Sequence, residues 1–184
     1  MKKLLFLLLT LFIIHSCKCE REEVGRNLLK TQNKEYLNTN KRIVEYYNQD
    51  NVIVKANFDG AKSIIYEEKE GPEVCSYITT EKGEENFVFG SYVGKIIYRN
   101  TVLFITLYNN DDNSVLFIQD FISDIYNSKL ETVQINGFTF ENVLVLDKNE
   151  HETPNGLVNK IIYSKTNGIE FILFEDGTWY KRVE

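Results

Sequence analysis

Proline, cysteine and histidine are scarce in this chain, with two Pro, three Cys and two His among 184 residues. So little Pro, with ten Gly that follow no period, excludes a collagen-like or low-complexity chain, and three Cys are too few for a disulfide scaffold. No apolar run approaches the roughly 20 residues that a membrane-crossing helix needs. Positive charge is also short: 21 Lys and Arg stand against 27 Asp and Glu, a formal charge of −6. Such a balance repels phosphates and argues against nucleic acid as a partner. The length fits one ordinary globular domain.

What is abundant is aromatic. Twelve Phe and eleven Tyr bring the ring content to 13%, a bias that favours sheet. From residue 41 onward, short runs rich in Ile, Val, Phe and Tyr alternate with turn dipeptides. Arg42 to Tyr47, Val52 to Phe58, Lys62 to Glu67, Val74 to Thr80, Asn86 to Phe89 and Gly94 to Arg99 have strand length and composition. Thr101 to Tyr108 and Ser114 to Gln119 follow, and then Asp120 to Lys129, whose Phe121, Ile122, Ile125 and Tyr126 lie at helical spacing. Asp59-Gly60 reads as a hairpin turn, and Asn136-Gly137 is the strongest hairpin signal in the chain, joining Thr132 to Ile135 with Phe138 to Leu146. Val158 to Ser164, Ile169 to Glu175 and Thr178 to Val183 complete the pattern, separated by Asn167-Gly168 and Asp176-Gly177. The expectation is an all-β or β-rich domain over 41–184, an antiparallel meander forming a curved sheet, barrel or sandwich, with at most one or two short helices.

No catalytic constellation is predicted. His151 lies in a polar loop with no nucleophile motif nearby, and after removal of a leader it is the sole His, too little for a metal site. The adjacent acids Glu67-Glu68, Glu84-Glu85 and Asp111-Asp112 would point to opposite faces of an extended chain, so they make poor acid–base pairs. Asn109 to Asn113 lacks the central Gly and the twelfth-position Glu of a calcium loop and reads as a hairpin tip. The rings Tyr46, Tyr47, Tyr66, Tyr77, Tyr92, Tyr98, Tyr108, Tyr163, Trp179 and Tyr180 admit two readings, a groove for a glycan or lipid, or packing along one sheet face, and packing is the expectation. Neither cofactor nor metal is called for.

The N-terminus carries the clearest address. Lys2 and Lys3 precede an apolar run from Leu4 to Ile14, which as a helix would span only about 17 Å against about 30 Å of hydrocarbon, so it reads as an export signal. Ile14-His15-Ser16-Cys17 then resembles the bacterial lipobox, although His15 departs from the usual small or hydroxyl residue. The resemblance implies a signal peptide over 1–16, cleavage between Ser16 and Cys17, and a diacylglyceryl group on the Cys17 sulfur. Cleavage by the ordinary secretory peptidase is the competing reading, but no A-x-A-like site is present. Loss of Lys2 and Lys3 takes the formal charge from −6 to −8, so attachment falls to the acyl chains, two or three of which give a stable anchor.

Lys18 after the cysteine is not the Asp that resembles an inner-membrane retention signal, and Lys18-Cys19-Glu20-Arg21-Glu22-Glu23 is similar to the acid-rich tether of surface lipoproteins in Bacteroidota. Residues 17–40 therefore read as lipidated Cys17 and tether; an oxidising compartment would permit but not require Cys19 and Cys75 to pair, and a buried, unpaired Cys75 is the expectation. The segments INGFTFENVLVLDKN and NKIIYSKTNGIEFILFEDGTWYKR resemble the C-terminal pattern of uncharacterised Bacteroidota lipoproteins. Together these resemblances imply a lipid-anchored cell-envelope protein, placed at the outer membrane with its face unassigned. It reads as a non-catalytic binding or scaffolding module for a protein or small ligand; the rivals are a carrier of an apolar ligand and, further off, a hydrolase.

Overall fold

The structure, a computed structural model, describes residues 20–34, 37–69, 71, 74–99, 102–111, 115–122, 129–148 and 157–184, with 32–33 and 115–122 described as backbone only. Its contacts divide the chain into two compact units, Met1–Asn27 with Tyr66–Thr80, and Leu28–Ile65 with Glu81–Glu184. Among the described residues there are thirteen strands and one helical turn, α1 (Thr31–Lys34).

In the first unit, β1 (Glu22–Asn27) runs parallel to the opening residues of β5 (Ser76–Phe89), from Glu22 opposite Ser76 to Asn27 opposite Thr80, with a register shift between Glu23 and Gly25. The polar lead-in read as tether thus contains a strand. Its side chains show only the weak alternation of a half-exposed edge, and the signal lies in the partner rather than in its own sequence. Arg21 sits 5.3 Å from the Tyr77 ring and pairs with Glu67. Cys75 is half-buried and disulfide-bonded, which corrects the expectation of a buried free thiol.

The second unit carries the long path of the sheet. Its strands are β2 (Arg42–Asn48), β3 (Ile53–Phe58), the later part of β5, β6 (Tyr92–Arg99), β7 (Val102–Asn109), β8 (Val115–Ile122), β9 (Glu131–Ile135), β10 (Phe138–Asp147), β11 (Val158–Ser164), β12 (Gly168–Phe174) and β13 (Trp179–Arg182). The order is β8-β7-β6-β5-β3-β2-β13-β12-β11-β10-β9, and β4 (Lys62–Glu68) pairs with β5 off this path. The helical spacing over 120–129 does not make a helix at its start, because Asp120 to Ile122 continue β8 opposite β7. The rest of that stretch, 123–128, lies outside the described residues.

Turn chemistry behaves as its residues require. Asn136 and Gly137 take φ of 49° and 82°, the left-handed pair of a tight hairpin. Asp59-Gly60 does not form the expected hairpin turn: β3 and β4 both pair with β5, and a Cβ at Gly60 would meet the Thr39 carbonyl oxygen at 2.5 Å.

The sheet curls over its own inner face. Tyr98 on β6 and Tyr163 on β11 share a buried hydroxyl–hydroxyl hydrogen bond although five strands separate them in sheet order. Between them pack Tyr46, Phe58, Phe89, Ile96, Leu103, Ile105, Leu107, Leu146, Ile161 and Ile172, all 4% exposed or less. Each such side chain contributes about 1.5–3 kcal/mol on burial. The Tyr46 hydroxyl donates to the Ile169 carbonyl at 2.8 Å, so its polar atom is satisfied, and burial pushes its pKa up. Phe87 lies across Gly94 on the paired strand, where an added Cβ would come within 2.1 Å of the ring, so the glycine provides the room that the ring fills.

A second, smaller core lies on the opposite face. Phe140, Val143, Ile162 and Phe171 are buried there, with Phe138, Leu173 and Trp179 packed against them. It forms because β10 bends at a bulge between Phe140 and Val143, where Asn142 adopts a φ of 54°. The bend brings Phe138 to 5.1 Å from Trp179 and 6.3 Å from Tyr47.

Candidate functional site

Of the residues nominated by sequence, Ser16, Cys17, Cys19 and His151 lie outside the described residues. The aromatics separate by strand parity. Tyr46, Tyr98 and Tyr163 are in the inner core with Tyr92 and Tyr180 against it, whereas Tyr47 and Trp179 belong to the opposite face. Most of the rings are therefore packing groups, and Tyr47 and Trp179 are part-exposed at the edge of the second core.

That edge opens onto the outer face of β2, β3 and β5. Tyr47 and Ile53 are directly opposed across the β2–β3 pair, and Ile43 and Val88 both face Asn57 from its two neighbouring strands. Ile43 is 65%, Ile53 51% and Val88 44% exposed. A cross-strand ion pair, Lys55 to Glu45 at 3.2 Å with both partners solvent-exposed, separates the Tyr47–Ile53 pair from the row Ile43–Asn57–Val88. On the β13 side, a shallow cleft of about 440 Å³ is lined by Ile43, Glu45, Lys55, Arg182 and Val183 among others. Three large aliphatic side chains therefore stand in solvent on one sheet face, interleaved with Asn57 and the Lys55–Glu45 pair. The sequence did hold a signal for this face. Ile43-Val44 and Val52-Ile53-Val54 place apolar residues at successive positions, so strands there must carry them on both faces.

Lys181 joins this face to the second core. Its ammonium lies 5.7 Å from the Tyr47 ring centroid and 5.5 Å from that of Phe138, and its side chain is 13% exposed. The chain's own cation therefore fills the space between these rings. Beside it, a polar cleft of about 230 Å³ is lined by Thr139, Glu141, Asn167, Glu170, Lys181 and Arg182, among others. Glu170 is held there, accepting from the Ser164 hydroxyl at 2.6 Å and the Asn167 amide at 2.9 Å.

Comparison with protein-family models, with curated proteins and with solved structures finds no match to this chain.

The interior holds two carboxylates on one side of β5. Glu85, 4% exposed, accepts both arms of the Arg42 guanidinium at 2.5 and 3.0 Å, and Arg42 in turn lies 4.3 Å over the Phe58 ring. Glu81, 5% exposed, accepts from the Ser63 hydroxyl at 2.5 Å and the Leu29 amide at 3.0 Å, with Lys34 at 3.0 Å. The Ser63 hydrogen bond does most to hold the Glu81 carboxyl below its ordinary range, and Lys34 and the Leu29 N–H add to it against the opposing effect of burial. Both acids are saturated by fixed partners, which suits structural ion pairs better than proton transfer. No cluster of three or more His, Cys, Asp or Glu suited to a metal occurs among the described residues.

Proposed function

We propose that this is a lipid-anchored, non-catalytic binding or scaffolding protein of the cell envelope, held at the outer membrane by acyl chains on Cys17. It meets its protein or small ligand through the outer face of β2, β3 and β5. The observation that carries the contact surface is the contrast between the two sides of one sheet: a filled inner face against an outer face with Ile43, Ile53 and Val88 in water. The anchor is supported by the apolar run before Ser16-Cys17 and by the acidic chain behind it. A carrier of an apolar ligand would need a cavity on the inner face, and packed side chains occupy that position.

The reading is tested by placing a photo-reactive amino acid singly at Ile43, Ile53 or, as a distant control, Asn136 in cells of a Gram-negative host. Irradiation should give the same discrete adduct from Ile43 and Ile53 and none from Asn136. Adducts at all three positions, or at none, would remove the outer face as the contact surface.

A further inference from the structure

The dipeptide Asn-Gly occurs at 136–137, 155–156 and 167–168; the first and last fall in described turns, and Asn155-Gly156 lies outside the described residues. We propose that Asn136 is a site of spontaneous covalent modification, deamidation with isomerisation of the backbone, that releases the edge strand β9, and that the fold protects Asn167 from the same reaction.

Asn is thermolabile, and most so before Gly, where no side chain obstructs attack by the following amide nitrogen. The Gly137 nitrogen gives its proton to solvent and bonds to Asn136 Cγ; the Cγ–Nδ2 bond breaks and Nδ2 leaves as ammonia. Water then opens the cyclic imide. Addition at Cγ restores the normal backbone with an aspartate, whereas addition at the main-chain carbonyl carbon leaves the chain running through Cγ, an isoaspartate. Either way one water is consumed, one ammonia is released and the residue gains a negative charge.

The structure separates two chemically identical dipeptides. Asn136 and Gly137 are both exposed, and a Cβ added at Gly137 would meet nothing within 4 Å. Ring closure requires rotation of the Asn136 backbone, which the closed turn holds at φ of 49° and 82°, so conversion proceeds from the opened hairpin. That opening is easy: β9 has five residues, ends the sheet path and pairs only with β10 among the described residues. Asn167 is held at three points. Its N–H donates to Ser164 Oγ at 3.0 Å, its side-chain amide donates to Glu170 Oε1 at 2.9 Å, and its carbonyl accepts from Arg182. The attacking residue, Gly168, is buried opposite Ser164, and β11 and β12 each have a partner on both sides.

The two products differ in consequence. Asp-Gly suits the same turn as Asn-Gly, so aspartate leaves the hairpin intact. Isoaspartate adds a methylene to the main chain of a two-residue loop, so Ile135 no longer meets Phe138 in register. β9 then loses its ladder, and Val133 and Ile135 withdraw from the second core.

The test ages the purified full-length protein at mildly alkaline pH, folded and, in parallel, unfolded in guanidinium chloride, and follows tryptic peptides 130–148 and 166–181 by mass and isoaspartate content. In the folded protein Asn136 is expected to convert about ten times faster than Asn167, and in denaturant the two rates should converge. Equal rates in the folded protein, faster conversion of Asn167, or an inert Asn136 beside a reactive unfolded sample would overturn the proposal. Hydrogen exchange over residues 130–135 reads the second step: fast exchange is expected in the isoaspartate fraction and parental protection in freshly prepared Asn136→Asp. Parental protection in the isoaspartate fraction would defeat the release of β9.

Discussion

Glu85→Ala should be among the most damaging single substitutions in the chain, and the structure says by how much. Removing the carboxylate leaves the Arg42 guanidinium, whose side chain is 19% exposed, facing the inner core without its bidentate partner. Breaking a buried pair from one side costs about 3–5 kcal/mol. Partial access of Arg42 to water and its position over Phe58 place the expected cost near the lower end, about 3 kcal/mol. At about 2–4 °C per kcal/mol for a chain of this size, the thermal midpoint should fall by about 6–12 °C. The double variant Arg42→Met with Glu85→Leu removes both charges and keeps apolar volume, so it should recover most of the loss. Urea denaturation followed by far-ultraviolet circular dichroism measures all three proteins. A loss under about 1 kcal/mol for Glu85→Ala, or a double variant as unstable as the single one, would refute the view that this pair is desolvated and mutually dependent.

Glu81 gives a pH-dependent counterpart. Its carboxyl is held below the ordinary range, so its stabilising contribution is complete above the unfolded carboxylate pKa of about 4.3 and disappears as the pH falls through the lower folded value. Glu81→Gln should therefore be less stable than the parent at pH 7, with the difference shrinking in acid; a constant difference from pH 7 to pH 2 would contradict this. Gly94→Ala sets a methyl group against the buried Phe87 ring and should cost about 1–3 kcal/mol, which the additional substitution Phe87→Leu should partly relieve. If Gly94→Ala has no effect on the denaturation midpoint, Phe87 is not locked over that position.

Local chemistry explains how much of this fold was legible in the sequence. Asn136-Gly137 sets its own backbone angles, so the β9–β10 hairpin is readable from two residues, and the alternation of Ile161 with Tyr163 and of Ile172 with Phe174 identifies inner-core strands without a partner in view. β5 was harder. Its fourteen residues read as two strands because Glu81, Lys82, Glu84 and Glu85 interrupt the apolar pattern, and only the positions of Ser63, Lys34 and Arg42 show why two of those acids can turn inward. The pairing of β13 with β2 joins the end of the chain to a strand near its start, and no short-range signal encodes it. The same holds for β1, whose partners on β5 lie about fifty residues away in sequence. The outer apolar face was present in the sequence as consecutive aliphatic residues, but it becomes a surface only when Tyr47, Ile53, Ile43 and Val88 are brought into register.

The central claim is that this sheet is carried on a membrane by Cys17. Its most direct test is metabolic labelling of the full-length protein with a clickable fatty acid in a Gram-negative host, comparing the parent with Cys17→Ser. The account predicts label on the parent alone, recovered in the outer-membrane fraction. Label absent from both proteins, or present equally on both, would contradict it.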